Sequence, residues 1–313
     1  MSFSPDGSKL ALPIKVGSDY QIQVLDLVTR DLGCLTCGAP KGWNDGVRWQ
    51  PNGDVLLFIS SRDHPYAIGG AGGGAGQELY AMRADGSEVT RLTHGSTWAT
   101  NYHVNWSHDG KRIVWGSTES RAWDVMVADF AEDTNGMRLE NVRRLTHDTS
   151  WWETHGFTAD GRAVLTTNTR AGWQSADLYL VDVATGARTR LTDDVAWDEH
   201  VHLSPDGRKL SWISARWRPA GMERMTDGSL SPAFDFFWIA PAILFEFFNP
   251  PAGFSTELTM MDADGSHLQR LTFDDQVVAD NARSPGGDRI VFRQTPNGPR
   301  GPSRIRLLTF DDC

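Results

Sequence analysis

The chain has 313 residues and a net charge of −10, from 40 acidic against 30 basic side chains. That balance, with no basic run anywhere, argues against nucleic acid and against an anionic membrane surface as partners. Ser4-Pro5-Asp6-Gly7 follows the first Met almost at once, so no signal peptide is expected, and periplasm and cytoplasm stay equally open.

Read in order, the chain repeats one turn. Phe3-Ser4-Pro5-Asp6-Gly7 is followed by Trp49-Gln50-Pro51-Asn52-Gly53, Trp106-Ser107-His108-Asp109-Gly110 and Phe157-Thr158-Ala159-Asp160-Gly161. Leu203-Ser204-Pro205-Asp206-Gly207 and the degenerate Arg283-Ser284-Pro285-Gly286-Gly287 complete the set. Pro fixes φ, Asp or Asn tolerates the left-handed region, and Gly enters it without steric cost. After each glycine the residues alternate polar and apolar, as in Lys111-Arg112-Ile113-Val114-Trp115, which predicts a half-buried strand. Two further landmarks recur in each unit. One is a strand such as Leu79-Tyr80 or Leu178-Tyr179, and the other is Arg-Leu-Thr at Arg91, Arg144, Arg190 and Arg270. Four strands per unit at a period of roughly 45–50 residues is the pattern of a β-propeller blade.

The units predict blades at 1–40, 41–95, 96–147, 148–193, 194–275 and 276–313, together one domain over 1–313. Blade 1 carries Cys34 and Cys37. The repeats put Cys34 in the slot of Arg91 and Cys37 in that of His94. Strand positions three apart point to opposite faces, which argues against a joint metal or redox role. Blade 2 holds a glycine-rich loop, 68–76, that lacks the Gly-Lys-Ser/Thr of a phosphate cradle, so no nucleotide is expected. Blade 5 carries an insertion over 217–254 whose apolar run, 230–250, is too short for a membrane span. It predicts a lid or a surface for a partner or a second copy. The short blade 6 predicts three strands rather than four.

These turns and strands resemble the WD40-like (PD40) repeats of TolB-type propellers, over essentially the whole chain. The resemblance implies an all-β, six-bladed β-propeller of four-stranded antiparallel blades. Related propellers serve as periplasmic binding scaffolds, as gating domains of prolyl-oligopeptidase-like peptidases and as oligogalacturonate lyases, so function has to be argued from the site.

With strands A to D numbered outward, the tight A–B and C–D turns fall on one face and the variable D–A and B–C connections on the other. The variable face, at the channel mouth, is the expected site. Three places before each turn aromatic stand Gly46, His103, Thr154, His200 and Asp280. Five places before stand Asn44, Asn101, Trp152, Asp198 and Val278. In the lyase relatives, histidines in this region bind a divalent cation. His103 and His200 match that pattern, with Asn101 and Asp198 as companions, Glu153 close by and His155 one residue out of register. Imidazole and carboxylate suit Mn, Zn, Ni or Ca. Arg62, Arg170 and Arg216, at the end of strand B, suggest a bidentate grip on a carboxylate or, equally, ion pairs between blades. Trp98, Trp152 and Trp197 offer aromatic faces for a sugar or a peptide, or packing between blades.

Two functions follow. One is a TolB-like module binding a peptide, a protein or an anionic ligand. The alternative is a metal-assisted lyase or hydrolase of an acidic saccharide at the same site. A peptidase is disfavoured, because no Gly-x-Ser-x-Gly elbow is present.

Overall fold

The computed structural model describes all residues except 18, 39–41, 52, 65–75, 169–175, 195, 218–254, 275, 296–302 and 311–313. The glycine-rich loop, Arg170 and nearly all of the blade 5 insertion therefore lie outside the described residues. Those described form strands and turns only, and no helix among them is long and apolar enough to cross a membrane.

The strands make six antiparallel sheets, each in sequence order. Contacts divide the chain into two compact units, Met1–Thr149 and Ser150–Cys313, with three sheets each. The first unit holds blade 1, with β1 (Ser2–Phe3), β2 (Lys9–Val16), β3 (Asp19–Asp26) and β4 (Leu32–Cys34). Blade 2 follows with β5 (Asn44–Trp49), β6 (Val55–Ser60), β7 (Glu78–Arg83) and β8 (Thr90–Arg91), and blade 3 with β9 (Asn101–Trp106), β10 (Arg112–Ser117), β11 (Asp124–Asp133) and β12 (Gly136–Arg144). The second unit begins with blade 4, made of β13 (Trp152–Phe157), β14 (Ala163–Asn168), β15 (Asp177–Asp182) and β16 (Arg188–Arg190). Blade 5 has β17 (Asp198–Leu203), β18 (Lys209–Ser214), β19 (Glu257–Asp262) and β20 (Gln269–Arg270). Blade 6 has only β21 (Val277–Arg283), β22 (Arg289–Thr295) and β23 (Arg304–Thr309), three strands as its length requires.

The repeated turn closes as its residues dictate. In blade 5 the Gly207 amide donates to the Ser204 carbonyl at 2.8 Å, the Ser204 hydroxyl donates to Asp206 at 2.6 Å, and Asp206 accepts from the Arg208 amide at 3.0 Å. Gly207 sits at φ 72°, and Gly7, Gly110, Gly161 and Gly287 repeat it, which is why the position is glycine. Behind the turns, apolar residues of neighbouring sheets pack face to face. Val55, Leu57 and Leu79 of blade 2 meet Val104, Ile113 and Trp115 of blade 3, and Leu165 and Leu178 of blade 4 meet Val201 and Trp212 of blade 5. Each such buried side chain contributes about 1.5–3 kcal/mol.

A polar staple holds each outer strand. The Thr of Arg-Leu-Thr accepts from the first amide after an acidic residue, at 2.9–3.0 Å for Leu79, Val125, Leu178 and Leu258. The Arg pairs with that acid: Arg91 with Glu78 at 2.7 Å, Arg144 with Asp124 at 2.9 Å, Arg190 with Asp177 at 2.7 Å and Arg270 with Glu257 at 2.5 Å.

Blade 1 departs from this, and here the expectation for the cysteines is corrected. Strand β4 ends at Cys34, the chain bends over the next residues, and Cys37 comes back to form a disulfide with Cys34. The opposite-face argument fails because Cys37 is not in the strand.

Candidate functional site

Five of the six innermost strands carry a β-bulge, a place where two residues oppose one and the chain is re-aimed. Register shifts fall between Asp45 and Arg48, Glu199 and His202, Thr154 and Gly156, and Val278 and Asp280. In blade 2 the bulge residue is Gly46 at φ 62°, while blade 5 puts His200 there at φ 53° and blade 3 puts His103 at φ 49°. Both histidines hold a left-handed backbone that glycine adopts without strain. Their carbonyls are pinned alike: Asn105 Nδ2 donates to the His103 carbonyl at 3.1 Å and Asn281 Nδ2 to that of His200 at 2.8 Å.

In the second unit three strand starts converge. The rings of His155 (β13) and His200 (β17) lie with centroids 5.5 Å apart. His200 Nδ1 is 3.4 Å from Asp280 Oδ1 (β21), and its Nε2 is 3.7 Å from Glu199 Oε2. A Glu153 carboxylate oxygen and a His155 ring nitrogen lie within 4.8 Å of each other. Glu153 and Glu199 are both buried, and each influences the other's ionisation. Two indoles hold them: Trp151 Nε1 donates to Glu153 at 2.8 Å and Trp197 Nε1 to Glu199 at 3.2 Å. Burial raises Glu153, and burial reinforced by Glu153's charge raises Glu199 well above the usual carboxylate range. The result is three carboxyl groups and two imidazoles, reaching solvent in part at His200 and Asp280, with N and O donors suited to a divalent cation or to a ligand's own positive charge.

The other expected residues lie elsewhere. Asp198 is fully buried and accepts from Trp212 Nε1 at 2.9 Å, from the Ser214 hydroxyl and from Arg216. It points away from His200, because the bulge breaks the two-residue alternation that would have paired them. Asn101 is built the same way. It accepts from Trp115 Nε1 at 3.1 Å and donates to Glu78 at 3.1 Å, which ties blade 3 to blade 2. Arg216 also reaches Asp194 at 3.3 Å, and Arg62 donates to Asn44 at 2.9 Å while its guanidinium lies 4.9 Å from the Phe58 and Tyr80 rings. Trp152 and Trp197 are almost completely buried, whereas Trp98 is exposed, with Arg121 5.8 Å from its ring centre. The expected site residues Glu153, His155 and His200 thus come together with Glu199 and Asp280. Asp280 shares His200's place in the repeat count and Glu199 precedes His200 in the chain, which were the available signals.

The comparisons fit this architecture. No family model matches the chain. TolB from Acinetobacter baumannii superposes with a TM-score of 0.62 at 17% identity, covering 96% of this chain and 63% of that one. The fold is the six-bladed TolB-type propeller. An oligogalacturonate lyase in complex with manganese shares it, with a TM-score of 0.53 and 14% identity over 99% of this chain and 88% of that one. In sequence, the chain is 31% identical over 265 residues to Tricorn protease homolog 1 of Streptomyces coelicolor, covering 75% of the chain and 23% of that protein. The chain spans about half or less of the length of the curated relatives it matches.

Proposed function

We propose that the protein is a TolB-type binding module that takes a peptide or protein ligand at the starts of β13, β17 and β21, on the channel-mouth face, through a positively charged group of that ligand. One observation carries this reading. His200 is kept in a left-handed conformation that Gly46 meets without strain, with its imidazole among Asp280, Glu199 and His155. Strained backbone retained for the sake of a side chain is what a functional position looks like. The charge of the cluster also argues against a carboxylate ligand here. Arg216 is engaged with Asp198, and Arg62 with Asn44 and Ser60. An ammonium or guanidinium, from a chain terminus or a basic side chain, complements the three carboxyl groups.

The test is calorimetric titration with short peptides that have free or acetylated N-termini and that contain or lack Lys and Arg. Binding that needs the positive charge and is lost in Asp280→Asn supports the reading. Binding indifferent to charge overturns it.

A second reading has its own support: the approach of Glu153 to His155, together with the fold shared with a manganese-bound lyase. Glu153 and His155 are residues that would help hold a divalent cation, which when bound would supply Lewis-acid polarisation of a substrate carboxylate. In that case Asp280 keeps the His200 ring oriented, and the buried carboxyl pair offers a proton-accepting group. Manganese binding followed by spin resonance, with cleavage of oligogalacturonate as readout, separates it from the first.

A further inference from the structure

Blade 1 lacks the ion-pair staple of the other four-stranded blades, and what replaces it is chemically different. Cys34 pairs with Gln23 across β3 and β4 in the register that sets Arg91 opposite Tyr80, Arg144 opposite Met126, Arg190 opposite Tyr179 and Arg270 opposite Thr259. Two residues before each of those partners stands the acid of the staple, and in blade 1 that place is Gln21. Both members of the ion pair are therefore changed together, Glu or Asp to Gln and Arg to Cys, and the second is tied instead to Cys37.

The rest of the staple survives. Thr36 is buried, accepts from the Ile22 amide at 2.9 Å and donates to Gln21 Oε1 at 2.6 Å; Asn44 of blade 2 donates to that same oxygen at 3.2 Å. Thr36 and Leu35 lie between the two cysteines, so the disulfide loop is what holds them. Leu35 is also where blade 2 leans on blade 1. Gly86, at φ 88°, comes so close that a Cβ there would stand 3.1 Å from the Leu35 carbonyl oxygen. All three residues of β4 and Cys37 are exposed, so both sulfurs face solvent at an unpaired sheet edge.

We propose that Cys34–Cys37 is a thiol–disulfide exchange site, opened by a dithiol reductant, that sets how firmly β4 and the 34–37 loop hold to blade 1. A thiolate of the reductant attacks one sulfur and displaces the other cysteine. The second reductant thiol then resolves the mixed disulfide. Two electrons and two protons pass to the protein, Cys34 and Cys37 become thiols, and the reductant leaves as its own disulfide. The ion-paired blades have no such release, so loosening is confined to blade 1 and to its contact with Gly86.

The experiment is hydrogen exchange by mass spectrometry on the native protein, with and without dithiothreitol, with free thiols counted in parallel. Two free thiols without denaturant are expected, together with exchange about tenfold faster at the Ile22 and Leu35 amides. The equivalent Leu79, Val125, Leu178 and Leu258 amides should not change. A variant carrying Gln21→Glu, Cys34→Arg and Cys37→His restores the ion-pair staple and should be indifferent to the reductant, whereas Cys34→Ser with Cys37→Ser should match the reduced protein. A disulfide that resists dithiothreitol in the folded state, or one that opens with no change at Ile22 and Leu35, overturns the proposal.

Discussion

The carboxyl groups of Glu199 and Glu153 are buried together across the start of blades 4 and 5, with Trp197 and Trp151 donating to the pair. Two buried carboxylates so placed cannot both ionise cheaply, so the folded protein keeps a proton that the unfolded chain releases near 4.5. The sign follows directly. This contribution to stability is fully present below 4.5 and is lost as pH rises through the raised folded-state value. Urea midpoints should fall with pH in that window for the native protein. They should stay level for Glu199→Gln, which keeps a donor to Glu153 without a titrating group. Parallel profiles for the two proteins would contradict the shared proton.

Arg216 and Asp198 form a buried pair inside blade 5, whereas Arg62 makes the corresponding contact in blade 2 with a neutral Asn44. Arg216→Ala leaves the Asp198 carboxylate buried without its charge partner and should cost about 3–5 kcal/mol. Arg62→Ala removes hydrogen bonds to neutral groups and should cost about 1 kcal/mol. Arg216→Lys should fall between, since one ammonium cannot reproduce the fork that spans Asp198 and Ser214. Equal losses on urea denaturation of the two alanine variants would rule out the charge as the cause.

The fold was legible because its signals are local and repeated. Gly207 and its equivalents need positive φ, Thr93 and its equivalents recur behind the same Arg-Leu, and the short run after Gly287 leaves room for only three strands. The site was half legible. His200 could be found by counting, but the count assumed regular alternation, and a bulge that re-aims one residue moves Asp198 into the core and brings Glu199 and Asp280 to the imidazole. The acid of each staple was also within reach, since Glu78, Asp177 and Glu257 each immediately precede the Leu that opens the third-strand landmark. What it bonds to depends on cross-strand register, which no single strand encodes.

The turn aspartates make a separate prediction for the acid limb. A hydroxyl at the start of each turn is the largest influence lowering Asp6, to about 2, and it likewise lowers Asp109, Asp160, Asp206 and Asp288. A depressed carboxylate stabilises the fold above its ordinary 3.8, and that contribution is lost as pH falls through the folded value. Ser204→Ala should therefore be less stable than the native protein at neutral pH, and the two should converge as pH falls through the lowered Asp206 value. Circular dichroism during acid titration reads this, and a constant gap through that value would mean the hydroxyl acts by packing rather than through Asp206.

His200→Gly tests the central reading from the opposite direction. Blade 2 shows that glycine fits this bulge, at φ 62° for Gly46 against 53° for His200. The substitution relieves a left-handed backbone at the expense of a mostly buried ring whose contacts with the two acids, at 3.4 and 3.7 Å, are too long for strong hydrogen bonds. Thermal stability should be unchanged or higher by up to about 1 kcal/mol, because backbone relief and the added freedom of the unfolded chain nearly offset each other. His200→Ala keeps the strain, loses the ring and should be the less stable of the two. Peptide binding should vanish in both. A glycine variant that still binds charged peptides would make the strained histidine a structural accident, and the proposed site would lose the residue on which it turns.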